Sequence, residues 1–226
     1  MLNGFSVDVE EWFHICGSPP ALAEPLWNSL PSRVEQDTAR ILGLLDRHSV
    51  RATFFVLGWV AQRYPRLVHA IASAGHVIGS HGHRHDRVYD LDQGRFSSDL
   101  AASLAALTDA GSGPVSCYRA PEWSINERAP WALDVLARAG ITLNFTYDEL
   151  SPLLGVDPAR MYDAIRAVGP EHVTLSSDAG EPLFPNSVEC MRMMRAYMRA
   201  FGLTAEEVDL VSVTNPAKIV GAPVLV

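Results

Sequence analysis

Two histidines, His81 and His85, have a spacing that suits a metal ion. They lie in residues 80–85 (SHGHRH), directly after a short β-rich run. Residues four apart face the same way on a helical turn, so both imidazoles could meet one cation. His83, between them, is expected to point the other way. The competing interpretation is a polar surface loop that happens to be rich in histidine.

Two carboxylates, Asp8 and Glu10, stand two residues apart at the end of the first β-rich run. This spacing places them on the same face of a strand. Two such groups repel each other unless a metal ion or a proton lies between them. A cation held by one carboxylate would leave the other to act as a base on water. Because Glu11 extends the acidic run, a solvated acidic turn is the alternative.

A third segment, residues 119–123 (RAPEW), carries side chains that could serve a sugar-binding site. Arg119 could orient a carboxylate through two parallel hydrogen bonds. Pro121 fixes the direction of the chain after a strand. Trp123 could line a wall for a sugar, as could Trp12 from the loop that follows the acidic run. By itself, however, this segment is more typical of an ordinary strand-to-helix turn.

The elements that must position these residues alternate along the chain. Strands are predicted at residues 4–9, 51–58, 76–80, 115–119, 141–147 and 172–177. Helices are predicted at residues 34–48, 59–74 (with a break near Pro65), 96–109, 130–139, 158–168, 187–201 and 204–220. Such alternation predicts a parallel sheet, because parallel neighbours need crossover connections.

Polar residues at the ends of several predicted strands favour a (β/α) barrel. In such barrels the catalytic residues lie at the carboxyl ends of the strands. We therefore predict an α/β fold with a TIM-like (β/α) barrel in one domain spanning residues 1–226. Only six strands are clear, so the barrel is expected to be incomplete, or completed by a second chain. A monomer or a homodimer is expected.

Composition narrows the range of partners. The formal net charge is −8 at pH 7, which argues against binding to nucleic acid or to an anionic membrane surface. The three cysteines, Cys16, Cys117 and Cys190, are far apart, which disfavours a cysteine-based zinc site and a disulfide framework. No leader and no apolar run of membrane-spanning length is visible, so a cytoplasmic location is expected.

The order and spacing of these segments resemble those of the NodB-homology polysaccharide deacetylases, also called carbohydrate esterase family 4, over residues 4–148. The matching segments are residues 8–13 (DVEEWF), the run 52–76 that contains the TFF strand, the His81/His85 pair and the Arg-x-Pro of residues 119–121. Their order, spacing and flanking sequence all agree with that family.

This resemblance implies a distorted (β/α) barrel and a divalent metal, zinc above all, held by Glu10, His81 and His85. It implies that Asp8 is the catalytic base and that Arg119 orients it. The implied reaction is the hydrolysis of N-acetyl groups on an amino-sugar polysaccharide, so the expected substrate is a carbohydrate. Trp12, Pro121 and Trp123 are then the candidate substrate-binding residues.

The last part of the chain resembles a different group. Residues 145–222, through the runs AIRAVGPEHVTLSSDAGEP and TAEEVDLVSVTNPAKIVGA, are similar to the C-terminal part of metal-dependent amidohydrolase-like TIM barrels. That resemblance implies that Asp178 contacts the metal or the catalytic water; a helix N-cap is the alternative role. The chain is therefore interpreted as a composite, with a deacetylase-like part at residues 1–145 and an amidohydrolase-like part at residues 146–226.

One feature of the deacetylases has no counterpart in this sequence. They carry a histidine on a late strand as the acid for the leaving amine, whereas His172, the last histidine here, starts the sixth predicted strand. A metal-dependent deacetylase is the preferred function. The alternative is a chimeric or engineered barrel that binds metal with little activity. An amidohydrolase acting on a cyclic amide is disfavoured, because residues 8–10 read Asp-Val-Glu instead of His-x-His.

Overall fold

The fold is α/β, as predicted. The computed structural model describes residues 5–14, 23–150, 157–177 and 185–219. The chain divides into two compact units, Met1–Val135 and Leu136–Val226. All of the candidate site residues except Asp178 belong to the first unit, and Asp178 lies outside the described residues.

The first unit is built on a three-stranded parallel sheet in the order β1-β2-β3, formed by Ser6–Val9, Thr53–Val56 and Val77–Ser80. Its helices are α1 (Val34–Arg47), α2 (Gly58–Arg63), α3 (Pro65–Ser73), α4 (Gln93–Asp109) and the start of α5 (Trp131–Arg138). The predicted break at Pro65 is confirmed: it is the first residue of α3, a position that needs no N–H.

The register of this sheet explains why residues from distant parts of the sequence meet. Val9 is paired with Val56, and Val56 with Ser80, so the three strands end at the same level. Glu10 and His81 therefore leave the sheet at the same carboxyl edge, on either side of β2, although they are 71 positions apart in the sequence.

Apolar residues on both faces hold the sheet in place. Phe54 and Val56 of β2 are fully buried, in a core that also contains Val60 of α2 and Ile71 of α3. A strand that is buried on both sides reads as a continuous apolar run, which is how TFFV reads in the sequence.

Glu11 anchors the chain directly after β1. Its side chain is 2% exposed and accepts hydrogen bonds from the hydroxyl of Ser32 and from the backbone N–H of Arg33 at 3.0 Å. The N–H of Val34, the first residue of α1, lies 3.5 Å from the same carboxylate. The helix has no side-chain cap of its own. Glu11 thus supplies, from far upstream, the anion that a helix N-terminus favours.

The fourth predicted strand, residues 115–119, is a correction. The segment has isolated bridges at Cys117 and Tyr118 instead of a strand, and Tyr118 is paired in parallel with Ser80. Ser80 donates its N–H to the carbonyl of Cys117 and accepts the N–H of Arg119, both at 2.9 Å. Because Ser80 is the last residue of β3, the chain meets that strand at one point and no ladder can continue.

The second unit contains a parallel pair of strands, β4 (Leu143–Phe145) and β5 (Val173–Leu175). Its complete helices are α6 (Ala159–Val168), α7 (Ser187–Phe201), α8 (Ala205–Asp209) and α9 (Asn215–Ile219). The predicted helix over residues 204–220 is divided by a π-helical turn at Leu210–Thr214. Pro216, which has no N–H to donate, follows that turn.

The strands of the described residues form two small sheets and do not close into a TIM-like barrel. Among the same residues, no helix combines the length and the apolar character needed to cross a bilayer.

The buried carboxylate of Glu11 yields a stability prediction. Glu11→Ala leaves the Ser32 hydroxyl and the first N–H groups of α1 without their acceptor, so we expect a loss of about 1–3 kcal/mol in the free energy of unfolding. Glu35→Ala, at an exposed position in the first turn of α1, is the control and should cost less than about 0.5 kcal/mol. Urea denaturation measures both, and equal losses would contradict the anchoring role.

Candidate metal centre

Three donor groups converge at the carboxyl edge of the sheet. One ligand atom from each of Glu10, His81 and His85 lies within 4.8 Å of the other two. The histidines are 3% and 7% exposed, and Glu10 is half-buried. The structure therefore brings together the three residues that the sequence predicts as metal ligands. Among the described residues, this is the one group of three or more His, Cys, Asp and Glu side chains with such a geometry.

The contact between Glu10 and His85 fits a shared cation. Oε2 of Glu10 lies 2.9 Å from Nε2 of His85. Nevertheless, Glu10 Oε2 is a buried atom without a hydrogen-bond partner among the described residues, so this short contact lacks hydrogen-bond alignment. A buried carboxylate oxygen needs a compensating partner. Two imidazole nitrogens and one carboxylate oxygen are a donor set that zinc and similar divalent ions accept.

His81 is oriented by a backbone contact. Its Nδ1 lies 2.9 Å from the carbonyl oxygen of Arg119, and a carbonyl can only accept, so Nδ1 carries the proton. Burial lowers the pKa of His81, which favours the neutral ring. Its Nε2 therefore offers a lone pair towards Glu10 and His85. A second hydrogen bond of this kind commonly fixes the ring of a metal-ligating histidine.

The segment that joins the two histidines differs from the prediction. His81 and His85 do not lie on a helical turn: Gly82 and His85 have φ values of +79° and +63°, in the left-handed region. A right-handed helix cannot contain such residues. The two imidazoles still meet, with ring centroids 5.1 Å apart, because the chain forms a loop that returns on itself. We call residues 81–85 the ligand loop.

Asp8 lies beside this centre, held by an ion pair. Nη1 of Arg119 donates to Oδ1 of Asp8 at 2.7 Å, and Nη2 donates to the Ser6 hydroxyl at 2.8 Å. The guanidinium also lies over the ring of Phe55, 4.2 Å from its centroid. The other oxygen of Asp8, Oδ2, is 3.9 Å from Nε2 of His81. One carboxylate oxygen is thus bound to arginine while the second faces the candidate metal ligands.

The candidate substrate-binding residues differ in accessibility. Trp123 is 79% exposed and Trp12 is 41% exposed, with its indole N–H donating to the carbonyl of Pro31 at 2.9 Å. Pro121 is buried, so of the three residues only the tryptophans offer open surface. Glu122 and Trp123 both have positive φ, near +50°, an uncommon backbone conformation.

His14 is a buried polar residue that the sequence analysis missed. Its Nδ1 accepts the N–H of Glu11 at 3.1 Å, and its Nε2 has no hydrogen-bond partner among the described residues. The ring packs edge-on against Trp27 and Trp59, with centroids 4.4 and 5.0 Å away. Burial, followed by the positive potential of His85 and His81, lowers its pKa to about 3. Nothing in the sequence distinguishes it from a surface histidine.

Comparison with known proteins identifies the family. A sequence model described as polysaccharide deacetylase matches residues 27–143, just over half of the 226 residues. The chain belongs to the polysaccharide deacetylase family. The matched segment contains His81, His85 and Arg119, and it begins after Asp8 and Glu10. The predicted resemblance to this family is therefore confirmed.

Two curated relatives belong to the same group of enzymes. A peptidoglycan-N-acetylglucosamine deacetylase from Bacillus cereus is 32% identical over 98 residues, which are 43% of this chain and 36% of that protein. A chitooligosaccharide deacetylase from Rhizobium leguminosarum bv. trifolii is 30% identical over 102 residues, 45% of each chain. The aligned part of the chain thus covers less than half the length of each of these relatives.

A solved structure is similar in fold over most of the chain. The protein from Mycobacterium smegmatis, whose proposed identity is a polysaccharide deacetylase, matches 92% of this chain and 73% of its own, with a TM-score of 0.52 and 21% sequence identity. At that identity the match shows a common fold. It covers most of the second unit as well as the first.

The environment of His14 predicts a pH dependence of stability. Below pH 6.5 the unfolded chain protonates His14, whereas the folded chain keeps it neutral until about pH 3, so stability should fall as the pH drops through this window. His14→Asn keeps an acceptor for the Glu11 N–H and removes the titrating ring. We expect it to take up about one proton fewer on unfolding at pH 4–6.

Urea unfolding of chelator-treated protein at several pH values gives this proton number from the slope of the free energy of unfolding. His48→Asn, at the exposed turn after α1, is the control. Parallel curves for wild type and His14→Asn would contradict the burial of a neutral ring.

Proposed function

We propose that this protein is a metal-dependent hydrolase that removes N-acetyl groups from an amino-sugar polysaccharide. The observation that carries the proposal is the convergence of Glu10, His81 and His85 within 4.8 Å, next to an Asp8 carboxylate that Arg119 orients. A base placed beside a cation site is the arrangement that metal-assisted hydrolysis of an amide requires. Membership of the polysaccharide deacetylase family supports the same reaction.

Glu10, His81 and His85 would hold a divalent ion, with zinc as the proposed metal. Two neutral imidazoles and one carboxylate leave coordination positions open, as catalytic zinc sites do. When bound, such an ion supplies Lewis acidity to the acyl oxygen and to the attacking water. Cobalt, nickel and iron suit the same donor set, and the metal content of the purified protein decides among them.

Asp8 would act as the base through Oδ2, the oxygen that faces the ligands. Its other oxygen is occupied by Arg119, which fixes the direction of the carboxylate. As the water oxygen forms its bond to the acyl carbon, a water proton passes to Asp8. The C–N bond then breaks, and the proton passes from Asp8 to the leaving nitrogen, so the products are acetate and a free amine. We assign both proton transfers to Asp8, because its Oδ2 faces the candidate metal ligands.

The substrate class follows from the relatives and from the exposed aromatic residues. The two curated relatives are named for the N-acetylglucosamine of peptidoglycan and for chitooligosaccharides, and both names point to acetylated amino sugars. The indole rings of Trp12 and Trp123 provide flat apolar surface on which sugar rings could pack. We therefore propose chitin-type oligomers as the first substrates to test.

The test separates metal binding from catalysis. His81→Ala/His85→Ala should lose the metal, measured by elemental analysis, and with it acetate release from chitin oligomers. Asp8→Asn should retain about one metal per chain and lower kcat/KM by about 10²–10⁴-fold, the usual contribution of a general base. His48→Ala, on an exposed turn, should match wild type in both respects.

Each of the contrary results has a distinct meaning. Absence of metal from folded wild-type protein would refute the metal site. Metal without chelator-sensitive acetate release would favour the alternative, a protein that binds metal with little or no catalytic activity. Full activity in Asp8→Asn would refute the role of Asp8 as base.

A further inference from the structure

The ligand loop requires external support. Its ends, His81 and His85, must hold their imidazoles in fixed directions, yet the loop contains two residues with left-handed φ and no helical hydrogen bonds. Metal sites tolerate errors of about 0.5 Å in the position of their donors. The groups that bind the backbone of residues 82–84 therefore control the site as much as the ligands do.

One side of the loop is held by the start of α2. Gly58 donates its N–H to the carbonyl of Gly82 at 2.9 Å, and Trp59 donates to the carbonyl of His83 at 3.0 Å. These N–H groups have no partner within their own helix. A Cβ on Gly58 would lie 2.3 Å from Nδ1 of His83 and 2.8 Å from Cα of Ser103, so a larger residue cannot occupy this position without a shift. The loop therefore packs closely between α2 and α4.

The other side of the loop is held by α4, through a carboxylate. Asp99 accepts the N–H of His83 at 2.9 Å, and the N–H of Arg84 is near enough to the same carboxylate to influence its pKa. Its Oδ2 is 3.2 Å from the point where a Cβ on Gly82 would lie, so the carboxylate reaches into the turn of the loop. One turn further along α4, the hydroxyl of Ser103 is hydrogen-bonded to that of Ser80 at 2.8 Å. Asp99 thus binds the N–H of His83, at the centre of the loop.

We propose that Asp99 is a positioning residue for the metal centre: by accepting the N–H of His83 inside the turn of the loop, next to the N–H of Arg84, it sets the directions in which His81 and His85 present their nitrogens. A carboxylate has two acceptor oxygens and no donor, so it can receive two adjacent N–H groups. The neutral amide of asparagine offers one acceptor and turns a donor towards the second N–H. Asp99 stands on a 17-residue helix, a rigid support. This inference rests on the proposed metal site.

The competing explanation is that Asp99 would affect metal binding through its negative charge alone. Asp86 provides the control for this effect of charge. Asp86 directly follows the ligand loop and is near enough to Asp99 to affect its electrostatics. It is exposed, and no hydrogen bond from its side chain to the loop backbone is found among the described residues. Asp86→Asn therefore removes one negative charge from the same region and leaves the loop contacts in place.

Titration of the metal-free protein with Co²⁺, followed by the visible absorption bands of the bound ion, tests the proposal. Asp99→Asn should weaken Co²⁺ binding about 10–100-fold, the usual effect of removing a group that supports metal ligands, and should change the shape of the bands. Asp86→Asn should keep the wild-type bands, with affinity changed by less than about threefold because exposed charges are screened. A change in band shape reports ligand directions, which a loss of global stability does not alter in molecules that remain folded.

A measurement on wild-type protein keeps the proposal testable if Asp99→Asn does not fold. The amide of His83 should exchange slowly with solvent in the metal-free protein, because it already donates to Asp99. Fast exchange at this amide would overturn the proposal. So would Asp99→Asn protein with the affinity and bands of Asp86→Asn. Wild-type protein without Co²⁺ bands would overturn the metal site itself, and this inference with it.

Discussion

A half-buried carboxylate and two buried imidazoles occupy a space in which their donor atoms are within 4.8 Å of one another. Groups of this kind lose their hydration on burial and need compensation from partners nearby. The surrounding structure holds them together: parallel strands that end at one level, a ligand loop bound on two sides, and a backbone carbonyl that orients His81. A site of this type depends on rigidity around it more than on the strength of any one contact.

The residues after β1 illustrate how one short segment serves both the site and the fold. Neighbouring side chains of an extended chain point in opposite directions. Glu10 faces His85, whereas Glu11 faces the N-terminus of α1 and is 2% exposed. The turn continues to His14, whose ring accepts the N–H of Glu11. The acidic run therefore contains one candidate metal ligand, Glu10, and one structural anchor, Glu11.

Much of the site could be predicted from the sequence because it is encoded by local patterns. The apolar runs that became β2 and β3, the proline that starts α3 and the spacing of His81 and His85 are all readable within a few residues. The left-handed turn of the ligand loop was not predicted, since histidine rarely adopts positive φ and no glycine marks position 85. Asp99 was missed because it meets the loop only through the packing of α4.

The second part of the chain shows the limit of reasoning from resemblance. Its helices and short strands lie close to the predicted positions, as their apolar periodicity required. The composite origin, with a join near residues 140–150, stays a prediction. The match to a deacetylase-like fold covers 92% of the chain, and a common fold over that length does not require a second source for the later residues. Helices at these positions are compatible with either origin. The spacing of apolar residues shows which side chains are buried, and it does not identify the family from which the segment descends.

Electrostatics ties the candidate site to the stability of the first unit. Burial lowers the pKa of His14 and of His81, because a charged imidazole would lose its hydration without a compensating partner. Neutral imidazoles expose lone pairs, and Asp8 and Glu10 bring negative charge to the same edge of the sheet. A divalent cation bound there would satisfy the lone pairs and balance the carboxylates at once. It would also stabilise the folded chain by mass action, since the unfolded chain does not hold these donors together.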